Sequence, residues 1–381
     1  MFALLIASFF FLITSFIFPR EKLNYYFLLI SFILAIIGFF VVPNNTMDLY
    51  KHYQVLEAIR ISGIEVVSNH NYYDSLPIFR IYFYLISFLQ YNGFLPAITV
   101  FITYALTFKT IYKLGIRYNV SKLGMLLAML FFVGTFNYLG LLSGIRNMLA
   151  FSVFAYFLYI DLVEKKNSLF CWLIYILLCF FHSSTVVLVL FRLLLYLYNK
   201  FTGKIINIVL IAWSFGSFMI INMLDSLTDI KLFKLLIMQI EGYSTLDYYP
   251  IIPAISKYLI LITIMITFLY FMNVNKSIKE LKGITRFSAL IIAFTIGSIT
   301  NYHIFVRFVN FLIFLSPIYI MLISKNIYPY TSEVNHAAIT WRQTSKNKKL
   351  TKSILVLLII SISLLSILYL FVFQYRYIQF S

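Results

Sequence analysis

Residues 141–159 read LLSGIRNMLAFSVFAYFLY and hold one charge, Arg146. A guanidinium inside so apolar a run is costly in a membrane, where it is kept for function or for a paired internal contact. The surroundings settle the class. The chain has 381 residues, 62% hydrophobic and 11% charged, with mean hydropathy +0.92. Soluble domains carry about a quarter charged residues. Apolar runs recur at 2–18, 23–42, 78–91, 94–113, 123–139, 143–161, 168–181, 183–198, 205–224, 254–272, 286–301, 304–323 and 353–373. Backbone polar groups in hydrocarbon must be satisfied within their own segment, so such runs fold as helices. The expected class is all-α, a single polytopic transmembrane domain over 1–381. A straight crossing needs about 20 residues, so the shorter runs must tilt, break or re-enter. The first run starts at Met1 without a basic n-region and ends in FPREK. It reads as a retained helix rather than a cleaved signal peptide.

The formal charge of +17 does not point to nucleic acid. Its basic residues sit in short clusters between apolar runs, as cytoplasmic loops do under the positive-inside rule. The clusters are Arg20 and Lys22; Lys109, Lys113, Arg117 and Lys122; Lys165 and Lys166; Arg192, Lys200 and Lys204; Lys276, Lys279, Lys282 and Arg286; and the basic loop 324–352. With all of them cytoplasmic, each interval from Lys122 onward holds two runs, and outer tips fall near 140, 182, 225–253 and 302. The interval from Lys22 to Lys109 holds three runs, so one of 78–91 and 94–113 does not cross. The sum is about 12 transmembrane helices with both termini outside. Two long outer loops result, 43–76, with TMDLYKHYQVLEAIR as an amphipathic helix, and 225–253. No internal repeat is visible.

That topology is set without the isolated polar residues, yet it brings them to one side. Asp48, Tyr50 and Tyr53 lie in the first outer loop. Arg146 and Asn147 open a span at an outer tip, His182 sits in the break CFFHSSTVV, and His303 and Arg307 lie in NYHIFVRF. Each has a plain structural reading too. Arginines snorkel to head groups, a histidine or the hydroxyls of HSS can satisfy a broken helix, and Asp48 can cap the helix it begins. Together they suggest an outward-facing cavity for an anion. Arginine holds phosphate through a planar fork, and histidine or aspartate can take the proton of a sugar hydroxyl. The 30 Tyr and 41 Phe serve mainly as interface anchors and packing. A few of them would stack on sugar rings. There is no DxD, HExxH or cysteine cluster, and no Walker A or GxGxxG. Cys171 and Cys179 share one apolar run as packing residues. Neither metal nor cofactor is expected.

Four elements, in order, resemble the EpsG-like and Wzy-type polysaccharide polymerases, membrane proteins related to the GT-C glycosyltransferases. They are MDLYKHY with Asp48, Tyr50 and Tyr53; GIRNMLA with Gly144, Arg146, Asn147 and Ala150; FHSS with His182 and Ser184; and RFVNF with Arg307 and Phe311. Asn147 stands where glutamine is usual in that family, and Phe311 where tyrosine is. The resemblance implies a helical bundle with a periplasm-facing cavity in the bacterial inner membrane. It implies transfer of a growing glycan, O-antigen or exopolysaccharide, from one undecaprenyl pyrophosphate to the terminal sugar of another lipid-linked repeat unit. Arg146 and Arg307 would hold the pyrophosphate. His182 or Asp48 would be the base, with His182 slightly favoured and Asp48 orienting it or the sugar. Tyr50, Tyr53, Asn147 and His303 would contact substrate. The implied partners are lipid-linked donor and acceptor, the bilayer and a chain-length regulator, with no nucleic acid. Two other readings stay open. An O-antigen ligase uses the same donor. A transporter or flippase of lipid-linked oligosaccharide would usually show internal symmetry and midplane charges.

Overall fold

A computed structural model describes residues 14–15, 17–45, 47–63, 76–200, 251–274, 278–299, 301–325, 345–370 and 379–380. The runs expected at 2–18 and 205–224, the outer loop 225–253 and the basic loop 324–352 lie wholly or largely outside these residues. The described chain is helical: α1 Leu23–Phe39, α2 Asp48–Ser62, α3 Pro77–Ser87, α4 Phe94–Arg117, α5 Lys122–Thr135, α6 Tyr138–Ser143, α7 Ile145–Tyr159, α8 Ser168–Cys179, α9 Ser184–Lys200, α10 Ile251–Val274, α11 Lys282–Gly297, α12 Tyr302–Lys325 and α13 Ser345–Tyr369. A short antiparallel pairing, β1 Val41–Val42 with β2 Gln379–Phe380, ties the end of the chain back to the end of α1.

Six helical stretches are long and apolar enough to cross a membrane: Arg20–Phe39, Phe94–Arg117, Ile145–Glu164, Ala254–Asn273, Tyr302–Ile323 and Thr351–Tyr369. The count of about 12 is thus not met among the described residues. Loop charges count every apolar run as a crossing, whatever the length of the helix inside it. The shorter apolar helices are Pro77–Ser87, Lys122–Thr135, Ser168–Cys179 and Ser184–Tyr196. A helix such as α5, with 14 residues, spans about 21 Å, short of a hydrocarbon core of about 30 Å.

Of the two runs at 78–91 and 94–113, the first holds the short helix α3, with 11 residues or about 16 Å. It packs against α2. Arg60 of α2 clasps this pair together. Its guanidinium donates to the carbonyls of Ser87 (3.1 Å) and Leu89 (2.8 Å) and to Asn92 Oδ1 (2.5 Å). Asn92 in turn donates to Glu57 Oε1 at 2.8 Å. The guanidinium thus satisfies carbonyls left open at the end of α3.

The centre of the bundle is α12. Phe311, Leu312, Ile313, Leu315 and Tyr319 are fully enclosed, and α5, α7, α10 and α11 pack around it. Phe311 lies among Phe151, Phe154 and Phe287 at ring separations of 5.2–6.3 Å. A tyrosine hydroxyl there would need a partner inside the core, which accounts for phenylalanine. Where α5 begins, Ser121 caps it by accepting the N–H of Gly124.

The basic clusters of separate loops meet at one end. Lys113 pairs with Glu164 (3.0 Å), and Arg117 with Glu280 (3.0 Å), which also accepts from the Tyr118 hydroxyl. Arg20 donates to Gly115 O. The exposed Glu280 carboxyl lies below the usual range, held there by its hydrogen bonds from Arg117 and Tyr118. Deeper on the same side Arg192 of α9 pairs with Asp161 at 2.8 Å, and Asp161 also accepts from Tyr175 and Ser168 of α8. Asp161 ends the α7 span in a short π-helical turn, Ile160–Glu164. These contacts pin α4, α7, α8, α9 and the start of α11 at that end.

Candidate functional site

At the opposite end, α6 breaks at Gly144 and α7 starts at Ile145. Arg146 is therefore in the first turn of α7, where helical N–H groups carry partial positive charge. Its guanidinium lies over the ring of Phe79 in α3, 5.4 Å from the centroid. Phe79 also meets the His52 ring of α2 (6.1 Å) and Phe181 (5.2 Å), the residue before His182. One aromatic ring thus gathers Arg146, His52 and the loop of His182.

His182 occupies the break between α8 and α9. The break is held by local bonds. The His182 N–H donates to Leu178 O (2.9 Å), and the Thr185 hydroxyl donates to Leu178 O (2.8 Å) and His182 O (2.6 Å). The Ser184 N–H donates to His182 Nδ1 at 3.1 Å. The Nδ1 lone pair is thereby occupied, and a neutral ring must carry its proton on Nε2. The ring is kept neutral by burial, then by the charges of Arg307 and Arg146, which lower its pKa to about 3. His182 so held presents an N–H donor.

His52 has the same electrostatic setting. It is buried, and burial, then Arg146, then Lys51 lower its pKa to about 3. Sequence reasoning passed over His52. The signal was there: Leu49, His52, Val55, Leu56 and Ile59 form the buried face of α2, so a histidine stands on an apolar helical stripe.

Arg307 lies on α12, whose first turn is capped by Asn301 Oδ1 accepting the Ile304 N–H at 3.1 Å. Its charge acts on His182. His303 is half-buried one turn earlier on the same helix and packs against Tyr302. Arg146, His52 and the loop of His182 thus meet on Phe79, and the charge of Arg307 reaches His182 from α12. Asn147 follows Arg146 and is buried, and its Oδ1 has no hydrogen-bond partner among the described residues. The same holds for the Tyr53 hydroxyl, next to His52, whose pKa burial raises. Buried polar atoms without partners are rare.

Asp48 does not join them. Its side chain is 63% exposed and faces Lys51 at 3.7 Å. It begins α2 without capping it, since Met47 takes the cap position. Tyr50 is also exposed. The one buried carboxylate among the described residues, Asp161, belongs to the basic end. No group of three or more His, Cys, Asp or Glu could hold a metal ion among the described residues. The candidate site therefore combines two guanidiniums, two neutral imidazoles and uncommitted amide and hydroxyl groups. Such a set binds oxyanions and sugars and donates protons to developing negative charge.

A family model described as the EpsG family matches residues 23–340. No curated protein and no solved structure matches.

Proposed function

The chain belongs to the EpsG family of Wzy-type polymerase-like membrane proteins, and on that premise we propose that it is a polysaccharide polymerase. The reaction joins lipid-pyrophosphate-linked repeat units by glycosyl transfer on the outer face of a bacterial inner membrane, and the fold is of GT-C ancestry. The observation that carries the reading is that Arg146 and the residue before His182 share the Phe79 ring, and that the charges of Arg146 and Arg307 both act on the buried His182.

The roles follow from the chemistry of the groups. Arg146 and Arg307 grip the pyrophosphate and stabilise the charge that grows on it as the glycosidic bond breaks. His182 donates its Nε2 proton in a hydrogen bond to the same oxygens. His52, neutral and buried on α2, accepts a hydrogen bond from the acceptor hydroxyl and orients it, since a pKa of about 3 makes it too weak a base to take the proton outright. Asn147 and Tyr53 hold sugar hydroxyls. The donor carries its own leaving group, so the chemistry needs no nucleotide. An O-antigen ligase would use the same grip, and a flippase would not need the imidazoles.

The test is deletion of the gene in its host, complemented with wild type, Arg146→Lys and Arg146→Ala at matched membrane levels. The expected deletion phenotype is single-repeat glycan on its acceptor. Arg146→Lys, which keeps charge but loses the fork, should lower long-chain glycan about a hundredfold. Long chains left unattached to acceptor would instead identify a ligase. Wild-type behaviour of Arg146→Lys would make Arg146 an anchor, since lysine snorkels equally well.

A further inference from the structure

Lys257 lies in the second turn of α10, within the stretch Ala254–Asn273 that is apolar enough to cross a membrane. A lysine near the end of a span ordinarily reaches outward to head groups. This one reaches inward. Its Nζ donates to Asn310 Oδ1 on α12 at 2.7 Å, and Asn310 is 6% exposed. Among the described residues no carboxylate lies within ion-pair reach of Lys257. An ammonium has three donors, and a neutral amide engages only one of them. A charge turned into a bundle is costly unless something of opposite sign meets it.

Its place relative to the candidate site says what that is. Asn310 follows Arg307 by three residues, so the two share a face of α12, with Asn310 about 4.5 Å further along the helix. His303, Arg307 and Asn310 form one stripe with spacings of four and three. The ring of Tyr258 packs on Phe305 at 4.8 Å, holding the start of α10 against this part of α12. The stripe thus leads from His303 in the first turn of α12, past Arg307, to an ammonium about one turn further along the helix.

We infer that Lys257 and Asn310 form a second anion subsite, which takes the lipid-proximal phosphate of a prenyl pyrophosphate while Arg307, Arg146 and His182 hold the sugar-proximal one. This rests on the proposed function and sharpens it: the site distinguishes a pyrophosphate from a monophosphate. Lys257 is then a binding residue whose removal costs affinity for the diphosphate specifically.

The experiment is calorimetric titration of the full chain in phosphatidylcholine nanodiscs with a short-chain prenyl pyrophosphate and the matching monophosphate. Wild type should prefer the pyrophosphate. Lys257→Met should weaken pyrophosphate binding about tenfold or more and collapse that preference, with little effect on the monophosphate. Lys257→Gln, which keeps a polar group for Asn310, serves if the methionine variant does not fold. Unchanged pyrophosphate affinity in either variant, or equal losses for both ligands, overturns the subsite and leaves the polymerase reading standing. A wild type that binds neither ligand overturns both. Retention of anionic phospholipid by wild type alone, with pyrophosphate binding insensitive to Lys257, assigns Lys257 to a head group and also overturns the subsite.

Discussion

The imidazole of His182 separates two roles that a histidine usually combines. Nδ1 serves the fold, through Ser184, and on the proposed function Nε2 would meet the ligand. Asparagine at 182 can accept the same backbone N–H two residues on through its Oδ1, but offers nothing at the Nε2 position. His182→Asn should therefore keep the protein level and thermal midpoint of wild type and lose chain extension. His182→Gln, whose amide N–H₂ reaches about as far as Nε2, should keep part of the activity; glycan length on a gel reads both. Both buried histidines also set a pH dependence. His52 and His182 have pKa values of about 3 in the fold, against about 6.5 for a free histidine. Between those values the unfolded chain binds more protons, so stability is full above about pH 6.5 and falls as pH drops toward 3. Thermal midpoints in detergent from pH 7.5 to 4 should show this fall, and His52→Phe should lessen it. The sequence made Arg146, His182 and Arg307 legible, because charge or a break inside an apolar run is costly and visible. His52 was not, since one histidine on a packed helical face looks the same as a core residue. The tautomer of His182 was not either, because it depends on how one turn closes.

Helix contacts differ in how they answer a small added side chain. A methyl group on Gly93, before α4, would meet the backbone carbonyl of Phe39 at the end of α1, which has no room to yield. A methyl group on Gly115, in the same α4, would meet only the thioether end of Met125. Gly93→Ala should thus destabilise by about 1–3 kcal/mol, while Gly115→Ala, helped by alanine's helix preference of about 1 kcal/mol, should be near neutral. Thermal unfolding in one detergent compares the two. At this scale the sequence suggested, from the parity of basic clusters, that one of the runs before Lys109 does not cross; of the two, α3 is the short one, with 11 residues against the 24 of α4. The sequence did not show where the short helices stop. Apolar residues continue through the ends of α5 and α8, and the break after α8 is closed by local bonds of the Thr185 hydroxyl that residue type alone does not announce.

Across the whole molecule, charge is sorted by end. Lys113, Arg117 and Arg192 find carboxylates at one end, and the two guanidiniums and imidazoles of the candidate site gather at the other. This sorting was legible because loop charge and isolated polar residues are independent signals that pointed the same way. The number of crossings was not, since helix length is decided by packing. If the basic end is cytoplasmic, a cysteine at Asp48, whose side chain is 63% exposed, should react with a membrane-impermeant maleimide on intact cells. A cysteine at Glu280, with 49% exposure, should react only after permeabilisation. Cys171 and Cys179 are replaced beforehand, and the reverse pattern would refute an outward site.

The ion pairs of the basic end have a mechanical meaning. Helices α4, α7, α8 and α9 are riveted there by the Lys113–Glu164 pair and by the carboxylate that Arg192, Tyr175 and Ser168 share. A body fastened at one end bends most at the other, as forceps do. The tips are where Arg146 and Arg307 stand, and where two bulky lipid-borne chains would have to be brought together and let go. On the proposed function, that end is also the one that would have to part after every added unit.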